Sequence, residues 1–238
     1  MIEKPFKFKK FTINQSNCAM KIGTDGVLLG AWTSLKTHPF SILDIGAGTG
    51  VLSLIMAQRS DAEIIDAIEI DDYAYEQCVE NFEESIWADR LFCYHASLEE
   101  FVNDMEDRYD LIICNPPFYT EDYKTPNNKR NLARFQDAMP FDYLLKSVSK
   151  LLSNNGVFSV IVPFKEEKEF THLASKNNLF PNRILNVKGN PTSEIKRSLI
   201  EFSFHKSDLE ISELIIETNR HLYTEDYIIL TKDYYLKM

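Results

Sequence analysis

"SILDIGAGTGVLSLIMAQR" (residues 41–59) decides the fold. A short apolar run is closed by glycine, and the nine residues that follow the turn are apolar nearly all round, as in a strand running straight into a packed helix. Glycines at 46, 48 and 50 let the turn adopt positive φ and leave no Cβ between backbone and ligand. The same unit recurs downstream. "EIIDAIEI" (63–70) reads as the next strand, and within residues 72–84 Ala74, Cys78 and Phe82 share one helical face at four-residue spacing. "LFCYH" (91–95) with the segment after Ser97, then "YDLIIC" (109–114) with residues 139–152, repeat it. "GVFSVIV" (156–162) closes the series, ended by Pro163 and followed by a charged helix from 165 to about 177. Five strands alternating with helices predict a doubly wound, mostly parallel α/β sheet with right-handed crossovers. In "RSLIEFSFHK" (197–206), Ile200, Phe202 and Phe204 alternate with Glu201, Ser203 and His205, the period of a half-exposed antiparallel strand. Residues 183–188 pair with it across "GNPTSE", so the expected sheet has seven strands and ends in an antiparallel C-terminal hairpin. In such sheets the ligand lies at the carboxyl ends of the strands.

The chain has 238 residues, 44% of them hydrophobic, and no repeat or Pro/Gly/Ser linker, so one domain is expected over 1–238. Its N-terminus, MIEKPFKFKK, is charged from the start, and no apolar run approaches the roughly 18 residues that span a bilayer. A soluble cytoplasmic protein without export signal or membrane association is expected. Cys18, Cys78, Cys93 and Cys114 are scattered with no CxxC pair, and the five histidines show no metal spacing; reduced thiols and no metal are expected. The net charge of −10 argues against a polyanionic partner until its distribution is considered. Residues 61–110 hold seventeen acids against Arg90 and Arg108, whereas residues 1–40 hold Lys4, Lys7, Lys9, Lys10, Lys21 and Lys36 against Glu3 and Asp25. One face can be basic within an acidic protein.

Two motifs carry chemistry. The first is "LDIGAGTG", whose GxGxG spacing differs from the GxGxxG of pyrophosphate-binding turns. About twenty residues later the next strand ends at Glu69, where a carboxylate can accept two hydrogen bonds from a ribose. Asp71 and Asp72 read as the N-cap and first turn of the following helix. The second is Asn115-Pro116-Pro117-Phe118, at the end of the fourth strand. Methylating an amine conjugated to a ring requires freeing a lone pair delocalised into the heterocycle. The Asn115 side-chain oxygen and the Pro116 carbonyl can each accept one N–H and favour the pyramidal nitrogen. The prolines fix φ and remove competing donors, while Phe118, flanked by Tyr119, offers a stacking face. Alternatively the prolines only stop a strand and Phe118 fills the core.

A nucleoside without pyrophosphate held by a GxGxG turn resembles S-adenosylmethionine in a Rossmann-like class I methyltransferase. The resemblance implies backbone contacts at Gly46, Ala47, Gly48 and Gly50, Asp44 facing the sulfonium end, Glu69 with Ile70 at the ribose, and Asn115 beside the methyl group. It also implies Ser97 near the adenine, where many relatives place an acid. The (Asn/Asp)-Pro-Pro-(Phe/Tyr) motif resembles that of N-methyltransferases acting on adenine, cytosine N4 or glutamine amides.

"FKFKKFTINQSNCAMKIGTDGVLLGAW", "DIGAGTGVLSLIMAQR", "IDAIEID", "NPPFY" and "YTEDYIILTKDYYLKM" together resemble, over nearly the whole chain, the bacterial tRNA (adenine-N6) methyltransferases. That family modifies adenosine 37, beside the anticodon of a valine tRNA. The resemblance implies S-adenosylmethionine as cofactor, tRNA as partner, and an N-terminal segment (1–36) covering the cofactor through Thr24 and Asp25. Residues 40–206 would be the catalytic core and 207–238 a C-terminal extension. Thr24, Asp25 and Gly26 also read as a turn before a helix, with Asp25 as its cap. Candidate RNA contacts are Lys7, Lys9 and Lys10, interleaved with Phe6, Phe8 and Phe11, and Tyr119, Lys129, Arg130 and Arg134 in the long loop after the motif. The N-terminal phenylalanines also suit an edge strand docked on the core. A monomer is expected. The rival readings are a protein glutamine N5-methyltransferase and a non-catalytic nucleotide- or RNA-binding module.

Overall fold

A computed structural model describes residues 4–16, 18, 21–117 and 139–238. A short antiparallel pair, β1 (Phe6–Lys7) and β2 (Thr12–Ile13), precedes helix α1 (Thr24–Trp32). The alternation then runs β3 (Ser41–Ile45), α2 (Val51–Arg59), β4 (Ile64–Glu69), α3 (Asp72–Glu83), β5 (Leu91–His95), α4 (Leu98–Asp104), β6 (Tyr109–Cys114), α5 (Phe141–Leu151) and β7 (Leu152–Pro163). A 3-10 turn (Phe164–Glu166) leads into α6 (Glu167–Lys176), then β8 (Phe180–Lys188) and β9 (Ile195–Ser203). The chain ends with β10 (Glu210–Ile215), the hairpin β11 (Glu217–Asn219) and β12 (Leu222–Tyr223), and α7 (Glu225–Thr231).

The main sheet has the order β10-β8-β9-β7-β6-β3-β4-β5, parallel except where β9 runs against β7 and β8. Successive residues of its central strands feed opposite layers, as the pleat requires. On β3, Ile42 packs with the α1–α2 side while Leu43 and Ile45 pack with the α4–α6 side; on β6, Leu111 and Ile113 divide from Ile112 and Cys114 in the same way. Coverage on both faces explains why these strands read as continuous apolar runs.

The sheet has eight strands among the described residues, one more than the periodicity predicts. The added β10 lies parallel to β8, with Leu214 its one buried residue, so its sequence carries no alternating apolar signal. Within residues 207–238, β10 extends the sheet and α7 packs on α1, burying Tyr227 and Thr231. The N-terminal aromatics dock on the core instead of projecting. Phe8 and Phe11 are buried and stacked at 4.6 Å, and Phe8 bridges to Tyr235.

Candidate active site

β3 delivers Asp44 into the core and then opens into the glycine turn. The carboxylate is fully buried; its Oδ2 accepts the Ser53 N–H at 3.1 Å and the Ser53 hydroxyl at 2.8 Å, while Oδ1 has no donor. Burial pushes its pKa up to about 7 against the opposing Ser53 bonds, and the Glu69 charge adds to the rise.

The turn itself is held by the neighbouring strand. The Gly46 and Ala47 N–H groups donate to the Ile68 carbonyl, each at 3.0 Å, and Gly50 N–H closes the turn on Ala47 at 2.8 Å. Gly46, Gly48 and Gly50 have φ of +73°, +56° and +79°. They serve different ends. A Cβ on Gly46 or Gly48 would meet nothing within 4 Å, whereas one on Gly50 would stand 2.6 Å from Phe82 Cε1. The first two glycines border open space; the third lets α3 pack against the start of α2.

Glu69 closes this space from β4. Gly48 N–H donates to its Oε2 at 2.7 Å, and the Ile70 and Asp71 N–H groups donate to its Oε1 at 2.9 and 3.0 Å. A carboxylate offers about four acceptor positions, so three backbone donors aim it and leave capacity for a ribose hydroxyl. Ile70, beside it, is 62% exposed on the rim. Asp71 caps α3 by accepting from Ala74 N–H at 2.8 Å.

The N-terminal segment lies against the same region. Asn81 on α3 accepts from Asn14 N–H at 2.8 Å and donates to the Asn14 and Thr49 carbonyls, tying the segment to the glycine turn. Cys18 is half-buried, its thiol pushed up to about 11 by burial and by the charges of Glu69 and Asp71. α1 begins at Thr24, with Gly23 rather than Asp25 at the cap position. Asp25 Oδ2 instead accepts from Arg197 Nε at 2.8 Å, which fastens the start of α1 to the start of β9.

β6 ends at Cys114, and the chain passes into Asn115, half-buried, and Pro116, buried. Asn115 Nδ2 is 4.0 Å from the point a Cβ on Gly26 would occupy, and that same point is 3.3 Å from Val51, the first residue after the glycine turn. Asn115, Gly26 and the glycine turn thus meet at one rim of the sheet. Phe118, Tyr119, Lys129, Arg130 and Arg134 lie outside the described residues.

Ser97 follows Ala96, whose N–H donates to the Glu69 carbonyl at 3.2 Å, whereas the N-terminal lysines lie elsewhere. The Ser97 side chain forms a capping box on α4, accepting from Glu100 N–H at 3.2 Å while Glu100 Oε2 accepts from Ser97 N–H at 2.9 Å. Lys7 lies in β1, and Lys9 and Lys10 line a cleft of about 590 Å³ with Leu35, Gln58, Arg59, Asp233 and Tyr234. That cleft sits at the C-terminal end of α2, roughly 13 Å from the glycine turn. Lys9 Nζ donates to the carbonyls of Lys232 and Met238. Ser53, Asn81 and Arg197 were not among the sequence candidates; Ser53 sits nine residues after Asp44, and no local signal links Asp25 to Arg197.

A family model, the methyltransferase small domain, matches residues 22–138. Relatives named tRNA1(Val) (adenine(37)-N6)-methyltransferase are 60% identical in Flavobacterium psychrophilum, over 98% of this chain and all of theirs, and 44% identical in Bacteroides fragilis, over 98% of each. The chain belongs to that family. The fold of a solved structure from Agrobacterium tumefaciens, described as a predicted O-methyltransferase, superposes with a TM-score of 0.66 at 18% identity, covering 88% of this chain and 96% of that one. A ribosomal protein L11 methylase from Lactobacillus delbrueckii gives 0.52 at 15% identity, covering 75% and 76%. Both show the class I methyltransferase fold. Among the described residues no His, Cys, Asp or Glu cluster could hold a metal, and no helix is long and apolar enough to cross a membrane.

Proposed function

We propose that the chain transfers a methyl group from S-adenosylmethionine to N6 of an adenosine in tRNA, adenosine 37 of a valine tRNA being the target its relatives' names point to. The single observation that carries this reading is the meeting of Asn115 with Gly26 and the glycine turn at the carboxyl rim. The residues suit the cofactor. The open space next to Gly46 and Gly48 suits close approach of a nucleoside, Glu69 has capacity to accept from its ribose, and the unsatisfied Asp44 Oδ1 suits a cationic amino-acid end. When bound, the cofactor supplies an electrophilic methyl on a positively charged sulfur.

The chain's own residues prepare the nucleophile. The Asn115 side-chain oxygen and the Pro116 carbonyl accept the two N6 hydrogens, so the nitrogen lone pair leaves the ring system and points at the methyl carbon. Once methylated, the nitrogen would be cationic, and one of the N–H groups held by Asn115 and Pro116 would be strongly acidic and would pass its proton to water. No strong base is required. Phe118 is assigned the stacking face for the extruded base, and Tyr119, Lys129, Arg130 and Arg134 contacts to RNA. Lys7 and Lys10 remain candidates for more distant phosphates.

Incubating the protein with methyl-labelled S-adenosylmethionine, total tRNA and total protein, then digesting both, tests the reading. Label in N6-methyladenosine of tRNA supports it. Label in methylglutamine overturns the substrate while leaving the chemistry in place, and absence of transfer overturns the enzyme.

A further inference from the structure

Helix α1 is seated along β9 by two polar contacts of matching spacing. Past its C-terminal end the buried Glu201, itself paired with Arg183 at 2.8 Å, accepts the Ser34 N–H at 2.6 Å. At its start Asp25 accepts from Arg197 Nε at 2.8 Å. The residue steps from Asp25 to Ser34 rise about 13.5 Å at helical pitch, and the strand steps from Arg197 to Glu201 cover about 13.6 Å. Helix and strand are therefore commensurate between the two anchors. Gly26 and Gly30 let the helix sit close on α2, since Cβ atoms there would stand 3.3 Å from Val51 and 2.9 Å from Ile55.

The pleat puts the rim anchor on the same face as the acceptor loop. Asn115 continues the parity of Leu111 and Ile113, which pack on the α1–α2 side, and Arg197 shares the parity of Leu199, which packs there too. Cys114 pairs with Val160 and Ile161 with Leu199, so Asn115 is level with Leu199 two strands away. Arg197 stands further over the rim, its backbone roughly 12 Å from that of Asn115. The start of α1 spans the gap: Asp25 is bound to Arg197, and the Cβ point of Gly26, the next residue, is 4.0 Å from Asn115 Nδ2. That first turn begins at Gly23, and no side chain among the described residues caps it, whereas Gly26–Trp32 are buried. The Asp25–Arg197 pair is partly exposed, at 31% and 26%, so it adds little to global stability. Its effect is local, on the turn that faces Asn115.

We propose that Arg197 is a positioning residue for methyl transfer: by holding Asp25 it keeps the first turn of α1 against Asn115, so that the acceptor side chain stays aimed at the amine. The inference rests on the tRNA reading above. It gives Asp25 a role exerted through Arg197 and α1 in place of a direct contact with the cofactor.

The test compares wild type with Arg197→Met, Asp25→Ala, the Asp25→Ala/Arg197→Met double variant, and Arg197→Met in an Asn115→Ala background. Single-turnover methyl transfer at saturating S-adenosylmethionine and tRNA, both Kd values and the melting temperature are measured. Arg197→Met keeps the apolar stem and removes the guanidinium. It should slow transfer about 10- to 100-fold, with both Kd values within about threefold of wild type and the melting temperature lowered by no more than about 4 °C. Asp25→Ala should do the same, and their double variant should be no slower than either single change, because one contact is lost in all three. In the Asn115→Ala background Arg197→Met should slow transfer no further, a result that general loosening of the fold would not give. A wild-type rate in Arg197→Met, effects that multiply in either combination, or a loss that tracks the melting temperature overturns the positioning role. In each of these cases wild-type methylation of tRNA still stands. Failure of the wild type to methylate any RNA removes the tRNA reading itself, and the positioning role with it.

Discussion

Replacing Asp44 by asparagine probes the centre of the cofactor site. The carboxylate is fully buried, accepts two bonds from Ser53 on one oxygen and has none on the other. Burial lifts its pKa from 3.8 to about 7, a difference equivalent to roughly 4 kcal/mol between the two protonation states. The folded value lies above the unfolded one, so the group's contribution is fully present below about pH 4 and is lost as the pH rises to about 7. Asparagine keeps an acceptor for Ser53 and carries no charge. Without cofactor, the stability of Asp44→Asn relative to wild type should therefore climb by about 2.5–3 kcal/mol between pH 5 and pH 8, read by urea unfolding at both values. A cationic ligand end beside Oδ1 favours the ionised form, so binding releases a proton. Wild-type affinity for S-adenosylmethionine should then rise roughly 15-fold from pH 5.5 to 7, and that of the variant should be weak and flat. A stability difference that does not change with pH, together with equal pH profiles for binding, would refute the assigned role.

Three further substitutions separate binding from packing. Gly50→Ala places a methyl 2.6 Å from Phe82 at φ +79° and should cost about 3–5 kcal/mol of stability by denaturant melt. Gly48→Ala, at φ +56° with open space beyond, should cost only about 1–2 kcal/mol yet weaken cofactor binding at least about tenfold by calorimetry. Glu69→Gln removes charge-assisted acceptance from the ribose and sets an NH2 against backbone N–H groups that now donate to a carboxylate oxygen, so it should raise the cofactor Kd about 10- to 100-fold and cost about 1–3 kcal/mol of stability.

The parallel core was legible because it is buried on both faces, so "SILDI" and "YDLIIC" read as strands without tertiary information. The hairpin of β8 and β9 was legible from the alternation at Ile200, Phe202 and Phe204. β10 was not, because an edge strand paired on one side that buries only Leu214 needs no alternating apolar pattern. In the candidate site, the spacing from the glycines and the prolines makes Asp44, Glu69 and Asn115 legible as neighbours of one rim, and their roles toward cofactor and substrate are proposals. Ser97 caps α4 with Glu100, as any Ser-x-x-Glu helix start can, a role that does not decide whether the residue meets the cofactor adenine. Lys9 likewise spends its ammonium on the chain's C-terminal carbonyls, a pairing 229 residues apart that no local pattern signals. The link from Asp25 to Arg197, which fixes the start of α1 over the site, is invisible for the same reason.

The acceptor loop is tested most directly by single-turnover methyl transfer with Asn115→Ala. Losing one of two aimed acceptors should slow transfer by about 10²–10³-fold while S-adenosylmethionine Kd and tRNA Kd stay within about threefold of wild type. A variant that transfers methyl at the wild-type rate would contradict the account.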